Sequence, residues 1–286
     1  MSNSDSQSDP KLEAGVLDGD KITHQQTNQS EHIDYAHYGP LAHVNTAGTL
    51  YPPFAGQFQP GAFRPGPVEQ RKIANPAPLG LCGFALTTFV SGCINMKARG
   101  ITEPYMWVGP AYAYGGFVQI LAGMWEMAVG NTFGATAFAS YGGFWISMAI
   151  TFTSGGFHIT EELVQADNGS MGMFYDSFGL FLFGWFIFSF VLLICTMKST
   201  VVFFSLFFCV DLAFLLLGIG YMVRDEKGAP NAKLLAAGGF FDILASFLAW
   251  WAAFAGIADT SNSFFIVPVW HFPWSDKGKA SRQKTE

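Results

Sequence analysis

Long apolar stretches separated by short polar ones make up the chain between residues 75 and 258. About 20 consecutive apolar residues are enough for a helix to cross the roughly 30 Å of hydrocarbon in a bilayer. Six stretches approach that length, so the pattern predicts an all-α polytopic membrane protein with six transmembrane helices. We place them at residues 77–96, 105–129, 133–154, 173–196, 199–223 and 232–257.

The connections carry their own signals. The loop from Lys97 to Pro104 is charged and ends in proline, and the run from Asp225 to Pro230 has the composition of a turn. Residues 155–172 are polar enough to lie at the membrane surface, where we expect a short interfacial helix.

The ends of the chain differ from the middle. Residues 1–50 have too little apolar surface to offset the entropy of folding, so we expect a disordered N-terminal tail. Residues 51–74 are rich in Pro, Gly and aromatic residues, which suits an extended juxtamembrane segment, with a plain linker as the alternative. The predicted units are therefore two tails, 1–50 and 259–286, the juxtamembrane segment 51–74, and a transmembrane domain, 75–258.

Composition agrees with a membrane domain and excludes other classes. Charged residues form 13% of the chain and apolar residues 50%, whereas charged residues form about 25% of a soluble domain. The net charge of −6, without a clustered basic face, argues against a nucleic-acid partner. The four cysteines show no metal-ligand spacing, and the chain has no nucleophile–base set or phosphate loop. We expect no metal, no disulfide, no cofactor and no enzyme activity.

Lysine and arginine near the helix ends favour one orientation. With the N-terminus inside, eight such residues lie on the cytoplasmic side and five outside. An even number of helices puts both ends on one side, so we expect both tails to be cytoplasmic.

The second predicted helix carries a stripe of polar and small residues at steps of four, three, four and three, which lie on one helix face. The stripe comprises Tyr112, Gly116, Gln119, Gly123 and Glu126. Polar groups inside a membrane helix are costly, which favours a functional role. For Glu126, an interfacial carboxylate or a structural salt bridge is the alternative.

The first predicted helix has a matching stripe, comprising Phe84, Thr88, Ser91 and Asn95, with Thr87 beside it. Hydroxyl groups in a membrane helix also bond back to backbone carbonyls of their own helix, and that alternative stays open for each of them. Asn131 is expected to cap the start of the third helix.

Two aspartates, Asp211 and Asp242, fall within the fifth and sixth predicted helices. Because a carboxyl group away from water holds its proton more firmly, both are candidate proton carriers. The alternative is a neutral packing residue with a hydrogen-bond partner.

The segment from Asn75 to Leu81 places two prolines at a helix start, where missing N–H groups cost nothing. We expect the amides of Leu79, Gly80 and Leu81 to stay free and to attract an anion towards the positive end of the helix.

The sequence Asn-Pro-Ala-Pro-Leu-Gly-Leu-Cys-Gly-Phe, from Asn75 to Phe84, resembles the signature of the acetate uptake transporter family, the succinate and acetate permease group. Further matching segments are Gly115-Gly116 with Gln119, Gly123 and Glu126, the run from Gly130 to Gly142, and Phe203 to Leu206. The similarity covers roughly residues 70–260, and the long N-terminal tail is similar to that of fungal members.

This resemblance implies a hexamer with a pathway in each protomer, which takes up acetate and similar small monocarboxylates with protons across the plasma membrane. Both a channel and a symporter are consistent with it. The resemblance places a hydrophobic gate at Phe84, Tyr141 and Leu206, which would oppose hydrated ions by dewetting. It places substrate-binding groups at Asn75, Thr87, Thr88, Gln119 and Glu126.

Two other functions remain open. Some fungal members of the resembled family are linked to ammonium, so ammonia or ammonium export is one alternative. A membrane-anchored nutrient-sensing protein is the other, since the long polar N-terminal tail would suit signalling.

Overall fold

The computed structural model describes residues 73–283, and every regular element in that range is helical. The predictions for the N-terminal tail and for nearly all of segment 51–74 lie outside the described residues. The α-helices are α1 (Ala77–Asn95), α2 (Tyr105–Tyr112), α3 (Gln119–Ala128), α4 (Thr132–Phe152), α5 (Ile159–Ala166), α6 (Gly172–Cys195), α7 (Val201–Met222), α8 (Ala232–Ile257) and α9 (Asp276–Gln283). A π-helix, Ala113–Val118, joins α2 to α3.

All six predicted windows coincide with helical residues, to within two residues at each end. By length and hydropathy, α1, α6, α7 and α8 are suited to span a membrane. Helix α4 is long enough, but its Gly, Ser and Thr residues lower its hydropathy, and the π-helix divides the second window. The described chain is therefore an all-helical membrane protein with four clear candidate spans.

The long helices form a ring around a central space. Helix α1 packs against α8 on one side and against the π-helix and α3 on the other, α8 packs against α7, α7 against α6, and α3 against α4. Aromatic side chains join α4 to α6 and α7: the Phe144 ring lies 5.9 Å from Phe181 and 5.1 Å from Phe214. Such ring pairs add to the energy of area burial.

Small residues allow the helices to approach closely. A Cβ atom at Gly123 of α3 would lie 2.6 Å from the backbone nitrogen of Ala139 in α4. In lipid, helices gain little hydrophobic energy by associating, so this close packing stabilises the contact. The glycine-rich helix faces therefore serve, at this point, the packing of one protomer.

The surface loop predicted to hold a short helix does so, at α5. Arg224, after α7, donates to the carbonyl of Gly172 at 3.0 Å and forms an ion pair with Asp176. These contacts fix the end of α7 against the start of α6.

The C-terminal segment folds back onto the helix ends. The backbone N–H of Val201 donates to the carbonyl of Trp270 at 2.8 Å, and the indole of Trp274 donates to the carbonyl of Met197 at 2.8 Å. Val267 and Val269 are buried in the core. Part of the predicted C-terminal tail is thus packed structure that covers the connection between α6 and α7.

Candidate functional site

A cavity of about 320 Å³ enters the helix ring from one end. At its mouth lie exposed residues of two connecting loops, among them Lys97, Thr102 and Ala229. Its floor is formed by Phe84 and Tyr141, both buried. We call this space the large cavity; its volume lies at the small end of the range of roughly 300–1,000 Å³ for ligand pockets.

A second cavity, of about 20 Å³, lies on the other side of that floor. Its walls are almost wholly apolar, with Leu81 of α1, Phe133 of α4 and Leu206 of α7 among them. The polar exception is Gln119, at the start of α3. We call this space the small cavity.

Three residues line both cavities: Phe84, Tyr141 and Val210. They lie between the two spaces, and we call these three residues the constriction. The predicted gate contains two of them, whereas Leu206 lines the small cavity alone. Sequence reasoning missed Val210, although its position four residues after Leu206, on the same face of α7, was the available signal.

Neighbouring rings hold Tyr141 in place. Its ring centroid lies 6.0 Å from that of Phe84 and 6.4 Å from that of Phe214, to which it is nearly parallel. Its hydroxyl group shares a hydrogen bond of 2.8 Å with Ser189 of α6. The constriction therefore presents the aromatic face, while the hydroxyl already has a protein partner.

The two neighbouring threonines of α1 have different surroundings. Thr87 lies outside both cavities, and its hydroxyl donates to the carbonyl of Gly83 at 3.0 Å. Thr88 lines the large cavity, and its hydroxyl, although buried, has no hydrogen-bond partner in the described chain. The alternative that the hydroxyl bonds to a carbonyl of its own helix is therefore confirmed for Thr87 and wrong for Thr88.

The prediction of one continuous polar stripe on the second predicted helix is partly wrong. Gln119, Gly123 and Glu126 are buried, but Tyr112 is 38% exposed and bonds to the hydroxyl of Thr153 at 3.1 Å. The π-helix explains the difference, because its wider turn shifts the register between α2 and α3.

Glu126 is fully buried and lines neither cavity. Its Oε2 accepts a hydrogen bond of 2.6 Å from the side-chain amide of Asn131, whose own oxygen accepts from the N–H of Gly134 at 3.1 Å. The predicted cap at Asn131 is confirmed, and Glu126 holds that cap. Oε1 of Glu126 and Oε1 of Gln119 have no partner within the described residues.

The prediction of free amides at the start of α1 is wrong. Amides expected to be free are bonded: those of Leu79 and Gly80 both donate to the carbonyl of Pro76, at 3.1 and 3.3 Å. The Asn75 side chain accepts from the N–H of Ala77 at 3.1 Å. A tight first turn satisfies these groups internally, and Asn75 lines neither cavity.

The two intramembrane aspartates also differ. Asp242 lines the large cavity, where its Oδ2 accepts a long hydrogen bond of 3.5 Å from Asn95. Asp211 is buried outside both cavities, and its Oδ1 has no partner in the described part of the chain. Of these two aspartates, Asp242 is the one that can meet a solute in the large cavity.

The chain is similar to known proteins. The model of the GPR1/FUN34/yaaH family matches residues 54–274. Acetate permease A of Emericella nidulans is 63% identical over 256 residues, which cover 90% of this chain and 85% of the permease. Ammonia transport outward protein 2 of Saccharomyces cerevisiae is 44% identical over 228 residues, with 80% and 76% covered.

A bacterial relative supplies a structural match. SatP of Escherichia coli K12, described as a succinate-acetate/proton symporter, is 30% identical over 198 residues, which cover 69% of this chain and 96% of SatP. A solved structure of the bacterial acetate channel SatP matches with a TM-score of 0.56 at 29% identity, over 69% of this chain and 99% of that one.

Proposed function

Because the chain belongs to the GPR1/FUN34/yaaH family, we propose that it carries acetate and similar small monocarboxylates across a membrane through its two cavities. The large and small cavities meet at one apolar constriction, formed by Phe84, Tyr141 and Val210. That geometry is the observation that carries the proposal. The 63% identity to an acetate permease supports acetate as the substrate.

Polar groups on either side of the constriction suit a carboxylate. The Thr88 hydroxyl lines the large cavity, and Gln119 lines the small one with the apolar part of its side chain. Each side chain has an oxygen without a partner among the described residues. Both side chains also contain hydrogen-bond donors that a carboxylate can use. At the apolar constriction the solute must shed water, which a small acid does more easily than a hydrated inorganic ion.

Among the other predicted binding residues, we assign supporting roles to three. Thr87 packs α1 against the π-helix, since its Oγ1 lies 2.5 Å from where a Cβ of Gly115 would stand. Glu126 holds the start of α4 through Asn131. Asn75 fixes the first turn of α1.

We further propose six membrane spans, with both ends in the cytoplasm and homohexamers in the plasma membrane. The positive residues near the helix ends support the orientation. Leu180, Ile187 and Val191 of α6 are more than half exposed, which suits contact with lipid or a neighbouring protomer. The large cavity would then open to the outside of the cell.

Uptake of labelled acetate tests the proposed function. Proteoliposomes containing the purified chain should take up acetate at acidic pH faster than protein-free liposomes of the same lipid. Excess unlabelled acetate should suppress the difference. Equal uptake by the two kinds of vesicle would contradict the proposal.

Ammonia or ammonium export is a second candidate, favoured by the relative named for ammonia transport. The aromatic walls and Asp242 of the large cavity could also accommodate a cation. Labelled methylammonium in the same vesicles distinguishes the two functions. Methylammonium flux that excess acetate leaves unchanged, together with no acetate flux, would favour export of ammonium.

Replacing Leu206 should change which acids pass. Leu206→Ala enlarges the small cavity directly beyond the constriction, so we expect lactate uptake to rise relative to acetate by about tenfold, the low end of the effect of a methylene-scale change in an apolar pocket. The measurement is the ratio of labelled lactate to labelled acetate uptake. Leu212→Ala, on the same helix but outside both cavities, is the matched control. An unchanged ratio in Leu206→Ala protein of normal fold would remove Leu206 from the pathway.

A further inference from the structure

One wall of the large cavity carries a row of polar side chains that the constriction does not use. Thr88, Ser91 and Asn95 follow one another at steps of three and four on α1, and all three line the cavity. Asp242 of α8 faces the same space. Most other walls are aromatic or aliphatic, so this row is the polar surface that a solute in the cavity meets.

Close contact between two helices brings the row together. A Cβ atom at Gly92 of α1 would lie 2.7 Å from the carbonyl oxygen of Gly239 in α8 and 2.8 Å from Cβ of Asp242. A Cβ atom at Gly239 would lie 2.7 Å from Cβ of Asn95. Glycines at this crossing therefore set Asn95 against Asp242, where their side chains are joined by the 3.5 Å hydrogen bond.

The row has unused hydrogen-bonding capacity. The Thr88 hydroxyl is 97% buried by residue exposure and has no partner in the described chain. The bond from Asn95 to Asp242 is at the long limit for a hydrogen bond. Buried polar groups are normally satisfied, so an unpartnered one that faces a cavity points to a bound molecule.

Few other ionisable groups face Asp242. Helices α1 and α7 pack against α8, and the titratable or charged residues that line the large cavity with Asp242 are Lys97 at the mouth, Tyr221 of α7, and Tyr141 at the floor. Lys97 is exposed to solvent. No basic side chain among the described residues forms an ion pair with Asp242.

We propose that Asp242 and Asn95 form a binding site for the carboxyl group of the transported acid, with Thr88 two turns deeper on α1 as the next hydrogen-bonding group, and that Asp242 supplies the proton which accompanies it. The inference rests on the proposed function. An ionised Asp242 would repel a carboxylate, whereas a protonated Asp242 donates a hydrogen bond to it. Recognition of the anion thereby requires a proton on the protein.

The chemical step is the transfer of one proton from Asp242 to the substrate. The O–H bond of Asp242 breaks, its electron pair stays on the Asp242 carboxylate, and the proton forms an O–H bond with the substrate carboxylate. The neutral acid then crosses the apolar constriction at a lower desolvation cost than the anion. A proton from the side of the cavity mouth restores Asp242.

The substitution Asp242→Asn tests the inference, with Asp211→Asn as the matched control. Asp211 is also a buried intramembrane carboxyl group but lines neither cavity. After subtraction of uptake by protein-free liposomes, wild-type acetate uptake should rise by about tenfold as the outer pH falls from 7 to 5, as expected when one essential group must be protonated. In Asp242→Asn this rise should fall below about twofold, and Asp211→Asn should keep it.

An imposed membrane potential gives a second readout. Acetate that enters with one proton carries no net charge, so an inside-positive potential should not change wild-type accumulation. Asp242→Asn should either lose uptake or take up acetate in proportion to the potential. Potential-driven uptake by the wild type, or an unchanged pH profile in Asp242→Asn, would overturn the inference.

Labelling of the wild-type protein covers the case in which the variant does not fold. A protonated carboxyl group adds to a hydrophobic carbodiimide, its oxygen bonding to the carbodiimide carbon and its proton to a carbodiimide nitrogen, and peptide mass spectrometry locates the adduct. Labelling of Asp242 should increase as the pH falls and should decrease severalfold in the presence of acetate, while labelling of Asp211 should not respond to acetate. Labelling of Asp242 that acetate leaves unchanged would overturn this site. Absence of wild-type acetate flux would instead contradict the proposed function.

Discussion

Acetate uptake should fall by at least about tenfold when Val210 is replaced by tryptophan, because the indole would fill the space where the two cavities meet. Val210 is buried and borders the passage together with Phe84 and Tyr141. Because Val210 lines both cavities, a larger side chain there would extend into the pathway. Initial uptake of labelled acetate by proteoliposomes measures the effect.

The control for Val210→Trp is Leu212→Trp. Leu212 lies two residues further along the same helix and lines neither cavity, so this variant should transport at close to the wild-type rate. Size-exclusion chromatography and circular dichroism establish that both variants are folded. Normal uptake by folded Val210→Trp protein would show that the solute takes another route.

Removing the aromatic ring of Phe84 should have the opposite effect, a loss of selectivity. Phe84→Ala opens the floor of the large cavity and joins it to the small one. Without that apolar barrier, water and small inorganic ions can enter, and we expect chloride efflux from loaded vesicles to rise by about tenfold or more. The substitution also costs roughly 3–5 kcal/mol of stability, as for other buried phenylalanines.

Phe89→Ala is the matched control for the loss of a ring from the same helix. Phe89 packs against Phe247 and Trp250 at ring distances of 5.9 and 5.5 Å and lines neither cavity. Its vesicles should remain tight to chloride. Phe84→Ala vesicles that are equally tight, with unchanged acetate selectivity, would mean that Phe84 does not form the barrier.

The sequence was sufficient to predict the six helical windows, because each of them is a long apolar stretch bounded by polar residues. It was not sufficient to predict their rotation. Thr87 and Thr88 are neighbouring residues of the same type on one helix. The packing of Thr87 against Gly115 decides which of them faces the cavity. The π-helix similarly displaces Tyr112, which a regular helix would have kept beside Gln119.

The site depends on contacts between distant parts of the chain, which spacing along one helix does not reveal. Phe84 and Tyr141 were recognised from family motifs, but Val210 joins them only because α7 packs beside α4 and lines the same cavities. Asn95 and Asp242 are 147 residues apart and meet through Gly92 and Gly239. The prediction of free amides at the start of α1 was wrong for a local reason. The carbonyl oxygen of Pro76 already accepts hydrogen bonds from two of them.

If acetate passes through the large cavity to the constriction, blocking Thr88 should stop it. In a chain whose four native cysteines are replaced by alanine, Thr88→Cys should react with a small thiol reagent added from the side of the cavity mouth. Thr87→Cys, its neighbour outside both cavities, should not react. We expect modified Thr88→Cys vesicles to lose at least about nine-tenths of their acetate uptake, as expected when a narrow pore is filled, and acetate to slow the modification. Complete modification of Thr88→Cys with undiminished acetate uptake would contradict this route.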